Sequence, residues 1–319
     1  MKIVEDILLT DEKFKDTYIA IGAFDGIHMG HRELISRAVK KAKEKGGKSV
    51  VFTFLNHPME VTNRTNAPKL INSLEEKKHI IESLGVDYLI MQPFTKEFSN
   101  KTPEEFVNEI LRDILSAKEV FVGFNFSFGK GGRGSIENLK KFGQRDNIKI
   151  NVIEAVKLKD QVISSTFIRE MLALGKLDIA NRSLGQPFLV IGEVVHGRKL
   201  GRVMGFPTAN LKILNKIYPP FGIYGGKVRV EGEDKFWHAV INIGKNPTLK
   251  PDERSIEVHI LDFEKDIYGK KIYVSLMEFL REEKKFSSME ELKETIKNDV
   301  LNWKNKIKGI NNGNSIKNR

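Results

Sequence analysis

The feature that most constrains this chain is a change in the kind of apolar run near residue 184. Before it, "TYIAIG" (17–22), "KSVVFTF" (48–54), "VDYLIMQ" (86–92) and "KEVFVG" (118–123) read as buried strands. Helical stretches separate them. "RELISRAVKKAKEKGG" (32–47) carries Leu34, Ile35, Ala38, Val39 and Ala42 on one face and stops at Gly46, while Ser73 with Glu76, and Thr102 with Pro103 and Glu105, are capping-box starts. Such alternation implies parallel strands joined by right-handed crossovers, hence a doubly wound α/β domain whose ligands sit at the carboxyl ends of its strands. After residue 185 the segments "FLVIGEVVHG", "GIYGGKVRVEG", "KFWHAVINIG", "SIEVHILDF" and "KKIYVSLMEFL" follow one another with turns but no helix between them. They predict an antiparallel barrel or sandwich, closed by the helical stretch 288–307. The expected organisation is therefore 1–184, then 185–307, then a flexible tail over 308–319.

At 319 residues two ordinary domains are the natural division. No apolar run approaches the roughly 20 residues that span a bilayer, so no membrane segment is expected. The start, "MKIVEDILLTDEKFKD", lacks the apolar region of a secretory signal. The absence of cysteine excludes disulfides, thiolate nucleophiles and Cys-based metal centres, and agrees with a cytoplasmic location. The net charge of +11 is spread as lysines interleaved with glutamates. That pattern suits phosphorylated small molecules better than nucleic acid, which is not expected as a partner.

Two segments carry chemistry. In "GAFDGIHMGH" (22–31), Gly22, Gly26 and Gly30 surround Phe24, Asp25, His28 and His31, at the point where a strand gives way to a helix. Glycines admit close approach of a ligand, a helix start offers free N–H groups, and imidazoles beside them can donate to phosphate oxygens. A histidine metal site lacks a third ligand nearby and faces the positive end of a helix. Packed histidines are the plain alternative. Far downstream, "ISSTFIR" (163–169) sets Ser164, Ser165 and Thr166 ahead of a helix carrying Arg169, which is either an N-cap with a surface arginine or a second phosphate contact. Gly129, Gly131 and Gly134 mimic a dinucleotide fingerprint, and Gly123 to Lys130 a P-loop, but neither has the required strand context or spacing.

The other segment is "HGRKLGRVMGFPTANL" (196–211). Gly197, Gly201, Gly205 and Pro207 shape an irregular turn, and Thr208 and Asn210 offer oxygens suited to Mg²⁺ and phosphates; a purely structural loop is the competing reading. In "IEVHILDF", Ile256, Val258 and Ile260 face one way and Glu257 and His259 the other.

Taken together, "GAFDGIHMGH" and "ISSTFIR" resemble the paired signatures of the HxGH nucleotidyltransferase superfamily. "FTFLNHP" (52–58) and "VGFNFSFGKGGRG" (122–134) narrow that to the FMN adenylyltransferase module of the bacterial bifunctional riboflavin kinase/FAD synthetases. "PTAN" (207–210), "PPFGIYGGKV", "INIGKNPT", "SIEVHILDFEKDIYGKK" and "FLREEKKFSS" resemble the riboflavin kinase module in order, with Met204 where Leu is common. The resemblance implies a doubly wound nucleotidyltransferase domain followed by a kinase barrel. It implies ATP as co-substrate of both, Mg²⁺ as cofactor, and riboflavin, FMN and FAD as substrates and products. By the same resemblance, His28 and His31 act on ATP phosphates in the first module. Gly22, Phe24, Asp25, Gly26, Gly30, Asn125, Ser164, Ser165, Thr166 and Arg169 complete that nucleotide site. In the second module Gly197, Gly201, Gly205, Pro207, Thr208 and Asn210 hold the nucleotide. There Thr208 and Asn210 hold the metal, and Glu257 is the general base. His57 and Arg281 are flavin-side candidates, with a surface salt bridge as the competing reading of Arg281. The oligomeric state is open.

Overall fold

A computed structural model describes residues 1–62, 65, 67–197, 201, 204–245 and 254–316, with side chains to residue 309. Parts of two singled-out segments, 198–200 with 202–203 and 246–253, lie outside the described residues. The chain divides into two compact units: Met1–Arg169 with Ser183–Gly185, and Glu170–Arg182 with Gln186–Arg319.

The first unit is built on a six-stranded sheet in the order β1-β4-β3-β2-β5-β6. Its strands are β1 (Lys2–Glu5), β2 (Thr17–Ile21), β3 (Lys48–Phe54), β4 (Tyr88–Gln92), β5 (Ala117–Gly123) and β6 (Lys149–Ile153), and every pairing is parallel. Ile19, Ala20, Val50, Phe52, Leu89, Ile90, Val120 and Val122 are fully buried, because helices cover both faces and leave no wet side. The short edge strands β1 and β6 are additions to the sequence reading: β1 lies in a mixed segment that no period marks, whereas at β6 Ile148, Ile150 and Val152 alternate with Lys149 and Asn151.

The strand order sets the site. From β2 the chain moves outward to β3 and β4, then returns to place β5 on the other flank of β2. Loops after β2 and β5 therefore diverge, and a crevice opens above them. Helix α1 (Met29–Lys45) buries the five apolar residues expected of it and ends at Gly46, whose φ of 68° is the left-handed cap a side chain resists. Helix α2 (Leu74–Ser83) starts on the Ser73–Glu76 capping box. The Thr102–Glu105 box starts helix α3 (Pro103–Glu105), which continues as a π-helix over Phe106–Ile114, where Leu115 N–H reaches back to Ile110 C=O at 2.9 Å. The sequence pattern alone predicts an ordinary α-helix there. Helices α4 (Ile136–Arg145) and α5 (Ser165–Ala173) complete the part that bears on the site.

The second unit is a closed barrel of β9 (Phe188–Val195), β10 (Ala209–Leu211), β11 (Gly222–Val230), β12 (Phe236–Lys245), β13 (Arg254–Ile260) and β14 (Lys271–Arg281), in the order β10-β13-β12-β11-β14-β9 and antiparallel throughout. The short hairpin β7 (Lys157–Leu158) and β8 (Gln161–Val162) precedes it in the chain. Closure removes the exposed sheet edges. Along β13, Ile256, Val258 and Ile260 are buried while Glu257 and His259 are half-buried, as the alternation predicts. Helix α6 (Leu177–Leu184) comes before the barrel, and α7 (Met289–Ile316) lies on its wall, running past residue 308, where the sequence suggests a tail. Trp303 of α7 is fully buried against Ile223 and Val240. At Gly225 a Cβ would lie 2.4 Å from the Trp303 ring, so only glycine lets the helix sit this close.

Candidate active sites

In the first unit a cavity of about 780 Å³ opens at the carboxyl ends of β2, β3, β5 and β6. Gly22, Phe24, His28, Gly30, His31, Asn125, Ser164, Ser165 and Thr166 all line it. Asp25, Gly26, His57 and Arg169 are not in that lining.

The loop between β2 and α1 is bent hard: Phe24, Gly26 and Ile27 have φ of 46°, 88° and 39°. A left-handed β-branched residue persists only when its surroundings over-determine it. Here Phe24 and Ile27 are fully buried, and the loop is pinned from below. Asp25 Oδ1 accepts from the N–H groups of Ile71 (2.8 Å) and Asn72 (3.4 Å), its Oδ2 from Arg169, and its carbonyl from Ser165 Oγ (2.8 Å). The Ala23 carbonyl accepts from Thr53 Oγ1 (3.0 Å) and Lys77 Nζ (2.9 Å). Asp25 and Arg169 thus hold the loop in shape from behind, and Arg169 Nε is further committed to the Lys69 carbonyl. Ser164 caps α5 through the Phe167 N–H, at 3.2 Å.

That clamp makes a stability prediction. The Arg169–Asp25 pair is nearly dry, with side chains 16% and 4% exposed. Changing Arg169 to Met strands a buried carboxylate, and a urea titration should show a loss of about 3 kcal/mol, the scale for breaking such a pair.

His28 is the N-cap of α1: its Nδ1 accepts from the His31 N–H at 3.4 Å. The two rings stack at 3.7 Å and 17°, and Phe24 meets His31 edge-on at 5.1 Å. Burial pushes His28 down to about 4, and holds His31 well below its ordinary value with help from the charges of His28 and Lys77. Both imidazoles are neutral at pH 7, and such rings are hydrogen-bond donors, not counter-ions. His31 Nδ1 is buried without a hydrogen-bond partner among the described residues.

Asn125 stands at the rim on the loop after β5. His57 accepts from the Met59 N–H at 3.2 Å and so starts the helical turn Pro58–Thr62. The sequence reading missed the aromatic wall of this cavity, where Phe54, Phe94, Phe98, Phe106, Phe126 and Phe128 pack ring against ring. The crowding of Phe in "FTF" and "FNFSF" was the available signal. It also missed Thr53 and Lys77, which no motif marks.

In the barrel, register builds the second site. Asn210 on β10 lies opposite Glu257 on β13, and Glu257 lies opposite Asn242 on β12. Directly opposed residues share a face, so an amide, a carboxylate and an amide stand in one row. Asn242 shares that face with Val240, which packs on Trp303; the row is therefore on the outer wall. Asn210 packs over Gly197, where a Cβ would lie 2.2 Å from its Nδ2; at Gly201 a Cβ would lie 2.4 Å from the Phe206 carbonyl and 3.3 Å from Thr208 Oγ1. Thr208 and Pro207 line a cavity of about 330 Å³ with Val258, Phe263 and Tyr268. His259 Nδ1 bonds the Pro207 carbonyl at 2.8 Å and steadies the turn, another role the sequence did not suggest. Arg281 makes a two-pronged bond to Asp299 at 2.8 and 2.7 Å, the ion-pair alternative to a flavin contact. The donors Thr208 and Asn210 are neutral oxygens with one carboxylate alongside, a set that fits Mg²⁺ carried on phosphates.

A parallel-sheet unit with a phosphate-type loop at its switch point, followed by a closed antiparallel barrel, defines a nucleotidyltransferase-like domain joined to a kinase-type barrel. Family models agree: FAD synthetase matches residues 10–167 and riboflavin kinase matches 184–307. The bifunctional riboflavin kinase/FMN adenylyltransferase of Bacillus subtilis (strain 168) is 37% identical over 297 residues, 92% of either chain. That of Escherichia coli K12 is 35% identical over 302 residues, covering 94% of this chain and 96% of its own. A crystal structure described as a macrolide-efflux protein from Streptococcus pneumoniae superposes with a TM-score of 0.82 at 29% identity, over 96% of this chain and 99% of its own. No helix among the described residues is long and apolar enough to cross a membrane. The chain belongs to the family of bifunctional riboflavin kinase/FMN adenylyltransferases.

Proposed function

We infer that the barrel unit phosphorylates riboflavin to FMN with ATP, and that the α/β unit transfers AMP from a second ATP to FMN, giving FAD and pyrophosphate. The modules are read as residues 1–184 and 185–307, working in the cytoplasm where ATP is supplied. What supports the kinase half most is the register that sets Glu257 opposite Asn210.

In that half Glu257 accepts the proton of the terminal ribityl hydroxyl as its oxygen attacks the γ-phosphorus and ADP leaves. Thr208 and Asn210 are the residues that would hold Mg²⁺, which neutralises phosphate charge. The turn through Gly197, Gly201, Gly205 and Pro207 lets backbone approach the nucleotide, with Arg281 bordering the flavin.

In the α/β unit no protein nucleophile is needed. An FMN phosphate oxygen attacks the α-phosphorus and the bond to pyrophosphate breaks, so the chain's task is orientation and charge stabilisation. Neutral His28 and His31 donate to the triphosphate, with Gly22, Phe24, Gly26 and Gly30 around the nucleotide. Ser164, Ser165 and Thr166, with Asn125, close the opposite side of the nucleotide, Asp25 and Arg169 brace the loop, and His57 bounds the acceptor.

The test is chromatography of flavins after incubation with riboflavin and Mg-ATP. FMN should appear first and FAD after it; a yellow protein that forms neither is a flavin-binding module and overturns the reading.

A further inference from the structure

Lys77 sits in α2 and is 5% exposed. Its ammonium has three hydrogens to place and, among the described residues, one acceptor, the Ala23 carbonyl in the cavity wall. Thr53 already serves that carbonyl, so a lysine kept only as a tether duplicates it. No carboxylate among the described residues lies within ion-pair distance of Lys77. Asp25, the acid whose charge reaches it, is engaged by Arg169, and neighbouring Glu76 turns to the Ser73 N–H. Facing it from α1 and from the turn after β3 are His31 and His57, each disfavoured as a cation by the lysine. Behind the loop two cations, Lys77 and Arg169, therefore meet one anion, Asp25. The surplus positive charge is dry and lies directly beneath the cavity. Burial lowers Lys77 to about 8, against the opposing pull of Asp25.

We propose that Lys77 is the buried countercharge of the first cavity, a positioning residue completed by a polyphosphate bound above Ala23, so that polyphosphate binding and protonation of Lys77 are coupled. The inference rests on reading that cavity as an ATP site and deepens it. A triphosphate brings the negative charge that the clamp lacks, and by linkage it favours the protonated lysine as much as the protonated lysine favours it.

The experiment is calorimetric titration of the whole protein with Mg-ATP, without flavin, at pH 8.5 in two buffers of different ionisation enthalpy. ATP phosphates are fully ionised at that pH, so they contribute no proton. Wild type should take up roughly half to one proton more than Lys77→Met, as expected for a group with a pKa near 8 that is raised on binding. The barrel is unchanged between the two, so the difference belongs to the first unit.

In FAD synthesis from supplied FMN, the wild-type KM for ATP should climb by about tenfold between pH 7 and 9.5, the size of a one-unit coupling. In Lys77→Met it should be high and flat. Ligand-free Lys77→Met should melt no lower than wild type at pH 7, because an apolar chain replaces a desolvated charge. Thr53→Val, which removes the other donor to Ala23, should alter KM without altering proton uptake. Equal proton uptake in wild type and Lys77→Met, or a wild-type KM flat through pH 8, overturns the proposal; the second needs no variant. A wild type that forms no FAD from FMN at any pH overturns the ATP reading itself.

Discussion

Glu257→Gln should lower FMN formation by on the order of 10²-fold or more, the scale of losing a positioned general base, while FAD formation from supplied FMN stays near wild type. Glutamine keeps the length and the donor and acceptor pattern of the side chain but cannot take the hydroxyl proton. The substitution therefore separates base catalysis from simple occupancy of the row formed with Asn210 and Asn242. The barrel should be undisturbed, since Glu257 is half-buried on the outer face and the buried residues of β13 are its neighbours Ile256 and Val258. Riboflavin affinity, read by fluorescence, should change little. A kinase rate within about threefold of wild type removes Glu257 from the role.

The second large effect is expected at the histidines. His28→Ala and His31→Ala should each slow FAD formation by roughly 10² to 10³, the scale for losing one preorganised donor to a developing oxyanion, and leave riboflavin phosphorylation untouched. The double variant should lose less than the product of the two, because stacked rings 3.7 Å apart would act on the same phosphates. His28→Ala removes an N-cap as well, at a cost of about 1 kcal/mol, so stability must be measured beside rate.

The pH dependence follows from the burial of these rings. With His28 down near 4 and an unfolded value near 6.5, the unfolded chain binds more protons than the fold between those limits. Stability should therefore fall as pH falls from 6.5 toward 4, and part of that slope should vanish in His28→Ala. FAD formation should show no loss above pH 6.5 attributable to a histidine cation. If these histidines acted as charged groups, the rate would drop as pH rises through 6.5, and an observed drop there refutes neutral donation.

Much of the fold was readable in advance because local rules and the global answer agree. Strands β2 to β5 are continuous apolar runs, and the apolar face of α1 repeats at helical spacing. The capping boxes at Ser73 and Thr102 appear where residue spacing put them. Edge strand β6 did carry a signal, Ile148, Ile150 and Val152 alternating with Lys149 and Asn151. Edge strand β1 was not readable, because its short half-wet segment carries no clean period and its identity comes from the neighbour that pairs with it. The π-helical turn after Glu105 was likewise invisible, since its residues would serve an α-helix equally well.

The candidate sites divide the same way. The sequence alone determined which residue types gather at the strand-to-helix turn of residues 22–31 and at residues 207–210, since glycines, imidazoles and short oxygens at those spacings are chemical information carried by the chain itself. Only the tertiary structure decided where each one sits and what it touches. It turned Asp25 and Arg169 into a brace behind the loop, buried His28 and His31 so that desolvation disfavours their charged forms, and brought Glu257 level with Asn210 across two strands more than forty positions apart. It also placed Lys77 beneath Ala23. The physical reason is that charge state and contact depend on desolvation and on long-range register, and both are set by partners far away in the chain.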